Sequence, residues 1–160
     1  MSEQLKVGDK IPEVTFLTLK DGAPAPVTTS EIFGGKKVAL FAVPGAFTPG
    51  CSKKHCPSFV LNAAQLKAKG IETVACTAVN DCFVMDAWCK AQNGEGKLTM
   101  LADGDGAFAR ACGLTKETGN FGGVRSQRYA LIATDGVVDY IAVDQQGVEH
   151  STAESLLAHL

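Results

Sequence analysis

A run of apolar residues leads into a turn rich in proline and glycine in the segment Lys37-Val38-Ala39-Leu40-Phe41-Ala42-Val43-Pro44-Gly45-Ala46-Phe47-Thr48-Pro49-Gly50-Cys51-Ser52. The run ending at Val43 is typical of a central strand that is covered on both faces. From Ser52 to Lys69 the apolar residues recur with helical spacing, and Gly70 supplies a C-terminal stop. The segment therefore predicts a buried strand, a stiff turn and a long helix, with Cys51 at or near the helix start.

The rest of the chain predicts strands that alternate with helices and then a late hairpin. We expect strands at 14–19, 71–79, 97–101, 129–133 and 137–143, and helices at 29–33, 83–92, 106–112 and 151–160. Asp135-Gly136 between the last two strands is a hairpin signal. Ser151 is predicted to cap the last helix, and the segment 21–26, with two prolines, is predicted to be a loop. This order indicates an α/β domain over residues 1–160, with a mixed sheet and helices on both faces.

Composition excludes several classes of function. The chain has 160 residues, of which 46% are hydrophobic and 20% are charged, and its formal net charge is −2. No basic surface is therefore predicted for nucleic acid or an anionic membrane, and no apolar run is long enough to span a bilayer. We find no targeting segment and predict a cytoplasmic protein, with a processed organellar form as the alternative.

The six cysteines favour free thiols over a disulfide framework. They lie at positions 51, 56, 76, 82, 89 and 112. A chain of this size needs no covalent staples, and several of these cysteines lie within apolar runs, as buried free cysteines do in a reducing compartment. No Cys-x-x-Cys pair occurs in the sequence, which disfavours a dithiol site of the thioredoxin type.

Cys51 is predicted to be reactive because of its place in the chain. Free backbone N–H groups and the helix dipole favour a thiolate at a helix start, and Lys53 and Lys54 add positive charge. The Thr48 hydroxyl, three residues earlier, is able to donate to a thiolate or accept from a hydroperoxide. Pro44 and Pro49 stiffen the turn.

Other interpretations of this cysteine remain at this stage. Cys51 is alternatively an inert cysteine in a structural turn. His55, four residues on, is either its catalytic base, as in a cysteine hydrolase, or simply a partly exposed helix residue. A zinc site formed by Cys51, His55 and Cys56 lacks a second closely spaced pair of ligands, so we expect no metal and no cofactor.

The sequence resembles the peroxiredoxins, and among them the type II (peroxiredoxin-5-like) subfamily. The resemblance rests on Val43–Ser52, which holds the Pro-x-x-x-Thr-x-x-Cys motif at Pro44, Thr48 and Cys51. Further matches run in order along the chain, at 7–12, 58–60, 79–81, 83–85, 101–103 and 125–130. The resemblance implies a thioredoxin-like fold and a thiol-dependent peroxidase that reduces hydrogen peroxide and organic hydroperoxides through a sulfenic acid on Cys51.

The same resemblance implies further site residues. Arg128, which precedes Tyr129 at the start of a late strand, corresponds to the active-site arginine of the family, and Arg125 is a weaker candidate. Cys76 is a possible resolving cysteine, although its place in a core strand equally favours simple burial. Cys82, Cys89 and Cys112 are expected to be structural.

The resemblance also suggests partners. We expect an external thiol, glutathione with glutaredoxin or else thioredoxin, to reduce the sulfenic acid. A homodimer is expected through the face of the active-site loops, with Phe47 and Trp88 as candidate contacts. The alternative from another class is a catalytically silent, thioredoxin-like redox-sensing module, which need not keep Pro44, Thr48, Cys51 and Arg128 together.

Overall fold

The computed structural model describes residues 3–160. Within that range the strands are β1 (Thr15–Lys20), β2 (Ala23–Thr28), β3 (Lys37–Ala42), β4 (Thr73–Ala78), β5 (Thr99–Ala102), β6 (Thr115–Glu117), β7 (Val124–Ser126), β8 (Arg128–Thr134) and β9 (Val137–Asp144). The α-helices are α1 (Thr29–Phe33), α2 (Cys56–Ala68), α3 (Cys82–Ala91), α4 (Ala107–Ala111) and α5 (Ala153–Leu157). A π-helical turn, Cys51–His55, leads into α2, and a 3-10 turn, Gly119–Phe121, lies between β6 and β7.

The main sheet has the order β2-β1-β5-β4-β3-β8-β9. β3, β4 and β5 are parallel, whereas β8 runs antiparallel to β3. Ala42, at the end of β3, pairs with Tyr129 near the beginning of β8. The turn that follows β3 and the residue that opens β8 therefore meet at the same end of these two neighbouring strands.

Two apolar cores cover the two faces of this sheet, as predicted. One core contains side chains from α2, α3 and α5, together with Phe41, Cys76 and Ala130 of the strands. The other contains Phe33 of α1 and Phe108 of α4. The helices thus lie on both faces, as in an α/β domain.

The prediction of a loop over 21–26 was wrong for 23–26, whereas residues 21–22 form a turn. Residues from Ala23 onward form β2, which pairs with β1 so that Pro24 lies opposite Leu19 and Pro26 opposite Leu17. Proline is tolerated here because β2 is the edge strand of the sheet. On its outer side no neighbouring strand needs the N–H that proline lacks.

The last helix is shorter than predicted and has a different cap. Its N-cap is Thr152, whose side chain accepts a hydrogen bond from the Ser155 N–H. Ser151 is instead fully buried, and its hydroxyl donates to Asp144. Across the described residues, no helix is both long and apolar enough to cross a bilayer.

Candidate active site

Cys51 begins the π-helical turn at the head of α2. Helical hydrogen bonding starts just before it, because the Ser52 N–H donates to the Thr48 carbonyl over 2.9 Å. The Cys56 N–H then reaches back to the Cys51 carbonyl, which adds one residue to the turn. Cys51, His55 and Cys56 are all 0% exposed. The π-helical turn thus carries three buried side chains, and turns of this kind are frequent at functional sites.

Arg128 contacts the Cys51 sulfur directly. Its Nη2 donates to Cys51 Sγ over 3.2 Å, and its Nη1 donates to His55 Nδ1 over 3.0 Å. The guanidinium also lies close to the backbone at Gly50, where an added Cβ would be only 3.2 Å from Nη2. The planar fork of the arginine thus joins the start of β8 to the Cys51 sulfur, and glycine at position 50 leaves room for it.

His55 holds this arginine in place. His55 Nε2 donates to the Ser151 carbonyl over 2.7 Å, which leaves Nδ1 as the acceptor for Arg128. Burial, together with the adjacent Arg128 guanidinium, lowers the pKa of His55 to about 3. The imidazole is therefore neutral at ordinary pH. It is not a partly exposed helix residue, and with both nitrogens engaged it is not a base for Cys51.

Asp144 organises the loop that supplies the Ser151 carbonyl. Its carboxylate accepts from the backbone N–H groups of Glu149, His150 and Ser151, and from the Ser151 hydroxyl over 2.6 Å. Burial opposes ionisation, but these donors outweigh it and lower the pKa of Asp144. The carboxylate, the loop, His55 and Arg128 form a continuous hydrogen-bonded chain that ends on Cys51 Sγ.

The turn after β3 carries Pro44 and Thr48. The Thr48 hydroxyl donates to the Gly45 carbonyl over 2.6 Å, so its oxygen keeps its lone pairs for accepting a hydrogen bond. Asn80 Oδ1 accepts from the Ala46 N–H over 3.0 Å and ties the turn to the segment after β4. Pro44 is half-buried at the head of the turn. The site at the C-terminal end of β3 thus contains Pro44, Thr48, Cys51 and Arg128.

Arg125 does not join this group. Its side chain donates to the carbonyls of Val79 and Gly122 over 2.6 Å and 2.9 Å, so it fixes the loop between β6 and β7. Trp88 is fully buried and donates to the Ser52 hydroxyl over 2.9 Å, which excludes it as an exposed interface residue. Phe47, by contrast, is 56% exposed.

The six cysteines are all free and buried, and all lie among the described residues. Cys76 lies in β4 beside Phe41 of β3, in the same core as Cys51. Burial, and then the neighbouring sulfurs of Cys56 and Cys51, raise the pKa of Cys76 well above its usual value. Cys112 lies in the core on the other face of the sheet.

Comparison with known proteins gives a single family. The Redoxin family model matches residues 6–157. The chain is 44% identical over 168 residues to the chloroplastic peroxiredoxin-2E of Arabidopsis thaliana, covering 100% of this chain and 71% of that protein. The chain belongs to the Redoxin family and is a peroxiredoxin.

Solved structures agree with that assignment and with the type II subfamily. The structure of reduced Prx3 of Vibrio vulnificus in complex with hydrogen peroxide has a TM-score of 0.93 at 47% identity, covering 98% of this chain and 96% of that one. Peroxiredoxin 5 of Alvinella pompejana has a TM-score of 0.85 at 36% identity, covering 96% of each chain. The fold is therefore thioredoxin-like, as predicted, and the protein is a thiol-dependent peroxidase rather than a silent module.

Sequence reasoning missed part of this site. Pro44, Thr48 and Cys51 are close together in the chain, and the resemblance supplied Arg128. The sequence suggests His55 as a base for Cys51, a zinc ligand or a partly exposed helix residue, and Ser151 as a cap, but not the contact between them. The signal that connects them is tertiary, because His55 and Ser151 lie 96 residues apart in sequence.

Proposed function

We propose that Cys51 is the residue that attacks the peroxide, with Arg128, Thr48 and Pro44 completing its site. The observation that carries this proposal is the hydrogen bond of 3.2 Å from Arg128 Nη2 to Cys51 Sγ. A guanidinium cannot lose its proton, so it stabilises a thiolate at every physiological pH. Of the six cysteines, Cys51 alone combines a helix start with such a partner.

The reaction proceeds by displacement at oxygen. The Cys51 thiolate attacks one oxygen of R–O–O–H, the O–O bond breaks, and the products are Cys51–S–OH and RO⁻, which takes a proton to leave as water or an alcohol. Arg128 stabilises the negative charge as it moves from sulfur to the leaving oxygen. The Thr48 oxygen accepts the hydrogen bond of the peroxide and orients it, while Pro44 keeps bulk water from the sulfur.

We further propose that an external thiol reduces the sulfenic acid, either glutathione with glutaredoxin or thioredoxin. The burial of Cys76 and its raised pKa support this choice, because a thiol that stays protonated is a poor nucleophile. Cys76 remains the candidate for an internal resolver. That route requires the turn carrying Cys51 to unfold locally before the two sulfurs bond.

A homodimer and a cytoplasmic location complete the proposal. The exposed aromatic rings of Phe47, Phe83 and Phe121 support a dimer, since exposed aromatic side chains are enriched at interfaces. For location, a chloroplastic relative such as peroxiredoxin-2E of Arabidopsis thaliana keeps the organellar alternative open.

Substitution of Cys51 and Arg128 tests the assignment of the reactive site. We expect Cys51→Ser to abolish peroxide consumption, and Arg128→Lys to lower its rate about 100-fold, the usual cost of losing one donor to developing charge. Cys112→Ser, on the other face of the sheet, and Arg125→Lys are the matched controls. Full activity in Cys51→Ser would disprove the proposal.

Mass spectrometry after one equivalent of peroxide separates the two reducing routes. A sulfenic acid or a glutathione adduct on Cys51, together with undiminished glutaredoxin-supported turnover in Cys76→Ser, supports the external thiol. A Cys51–Cys76 disulfide, with turnover lost in Cys76→Ser, would show instead that Cys76 resolves the sulfenic acid.

A further inference from the structure

A cavity of about 420 Å³ adjoins the active site on the side of Arg128. Pro44, Gly50 and Arg128 form its inner wall, β6 contributes Thr115 and Lys116, and the segment 144–148 closes the far side. Its volume is that of a small-molecule site. It is larger than hydrogen peroxide needs, so there is room for the organic part of a molecule whose reacting end is at Cys51.

The walls of the cavity are polar rather than apolar. Gln127 donates from Nε2 to the Thr115 carbonyl over 3.1 Å, and its Oε1 accepts from Gln145 Nε2 over 3.2 Å. These bonds fix the Gln127 amide. They leave the second N–H of Gln145 available, and in the described structure the Gln146 side chain has no hydrogen-bond partner, so a polar ligand would find free donors here.

The charge available to a ligand in this cavity is positive. Lys116 lies on its wall and forms no ion pair with any carboxylate in residues 3–160. Arg125 lies directly opposite Lys116 in the β6–β7 ribbon, and like charges at such positions repel each other. The one carboxylate on the wall, Asp144, is already satisfied by donors from 149–151. A carboxylate bound near Lys116 would balance this excess of positive charge.

We propose that the cavity binds the carboxylate end of the small organic molecule that reacts at Cys51. Two kinds of molecule have this chemistry. One is an organic hydroperoxide carrying a carboxylate, which oxidises Cys51 as above. The other is a carboxylate-bearing thiol such as glutathione, R–SH, which attacks the sulfenic sulfur so that Cys51–S–OH and R–SH give Cys51–S–S–R and water. The inference rests on Cys51 as the reacting residue.

Paired probes, one with a free carboxylate and one without, test the cavity. The first arm compares tert-butyl hydroperoxide with its carboxylated analogue as oxidants of Cys51. The second compares glutathione with its diethyl ester, in which both carboxylates are blocked, as they react with the sulfenic acid. Both rates are followed by the fluorescence of Trp88, the only tryptophan in the chain, which donates to the residue after Cys51.

We expect Lys116→Gln to lower the ratio of the rate with the carboxylate-bearing probe to the rate with its partner probe about two- to fivefold, the range for an exposed ion pair. Lys116→Arg should restore the ratio, and Lys20→Gln, at the end of β1, should leave it at the wild-type value. A fall in only one arm supports the proposal and identifies that molecule as the ligand. Unchanged ratios in both arms would overturn it. The Cys51→Ser variant tests a different point, namely whether Cys51 is the reacting residue. If Cys51→Ser still reacted, the proposed function would fail, whatever the Lys116 ratios show.

Discussion

Arg128 is the residue that contacts the Cys51 sulfur in the proposed site, and His55 helps to fix its position. One Nη donates to the sulfur and the other to His55 Nδ1, so the two ends of the fork are fixed at the same time. A protonated His55 would present an N–H to the guanidinium instead of an acceptor, and two positive charges would meet in the core. The neutral imidazole is therefore required for the site to keep its shape.

This requirement gives His55 a measurable effect on stability. Its pKa is about 3 in the native protein and about 6.5 in an unfolded chain, so the unfolded state binds more protons between these values. The stabilisation is complete above pH 6.5 and is lost as the pH falls towards 3, by about 1.4 kcal/mol for each pH unit. We expect urea denaturation to show this decline in the wild type.

His55→Gln is the matched variant, because glutamine offers both an acceptor and a donor but does not titrate. Its free energy of unfolding should vary less with pH over the same range, although it starts lower at pH 7. Equal slopes in the two proteins would contradict the assigned role. Asp144 does not confuse the comparison above about pH 4, because its lowered pKa confines its own loss of stability to pH values below its ordinary 3.8.

At the residue scale, sequence alone found the parts of the site that are close in the chain. The eight residues from Pro44 to Cys51 hold a turn and a helix start, and local rules describe both. The burial of His55 could not be read in this way, because its neighbours on the helix include Lys53 and Lys54. The burial of His55 is seen only in the tertiary structure, where His55 contacts Ser151.

Among the elements, the irregular segment between β9 and α5 supports the site through its hydrogen bonds. Asp144 gathers three consecutive N–H groups and one hydroxyl, and the same segment presents the Ser151 carbonyl to His55. It also forms one wall of the cavity beside Arg128. We therefore expect a change in this loop to reach the Cys51 sulfur through His55 and Arg128.

Asp144→Asn tests this connection. The amide accepts fewer and weaker hydrogen bonds than the carboxylate, so we expect a loss of roughly 2 kcal/mol in the free energy of unfolding, as for bonds to a charged group. We also expect a slower reaction with hydrogen peroxide. Asp139→Asn, on the same strand but exposed, is the control. A variant that lost stability without any change in rate would show that the loop does not act on Arg128.

Element prediction was most successful where one pattern was strong. The apolar run of β3 and the helical spacing of α2 predicted the strand and helix that flank Cys51. β2 was missed because proline normally argues against a strand, and only its place at the edge of the sheet makes it acceptable. β6 and β7, of three residues each, are too short to show any period.

For the whole molecule, the sheet separates Cys112 from the other five cysteines. Cys51 and Cys76 share one core, whereas Cys112 lies in the other, so the sheet prevents a direct bond between the sulfurs of Cys112 and Cys51. The same arrangement leaves Phe47 on the surface beside the active site. Contact between two copies of the chain at Phe47 would shield the opening over Cys51 without any change in the fold.

Phe47→Asp tests the proposed dimer. Placing a charge in an apolar contact costs far more than placing it in water, so we expect the variant to sediment as a monomer at concentrations where the wild type is a dimer. Leu61→Asp is the matched control, because Leu61 is 80% exposed on α2, well along the chain from the active-site turn. It should remain a dimer. A wild type that sediments as a monomer, or a Phe47→Asp variant that stays dimeric, would exclude this face as the interface.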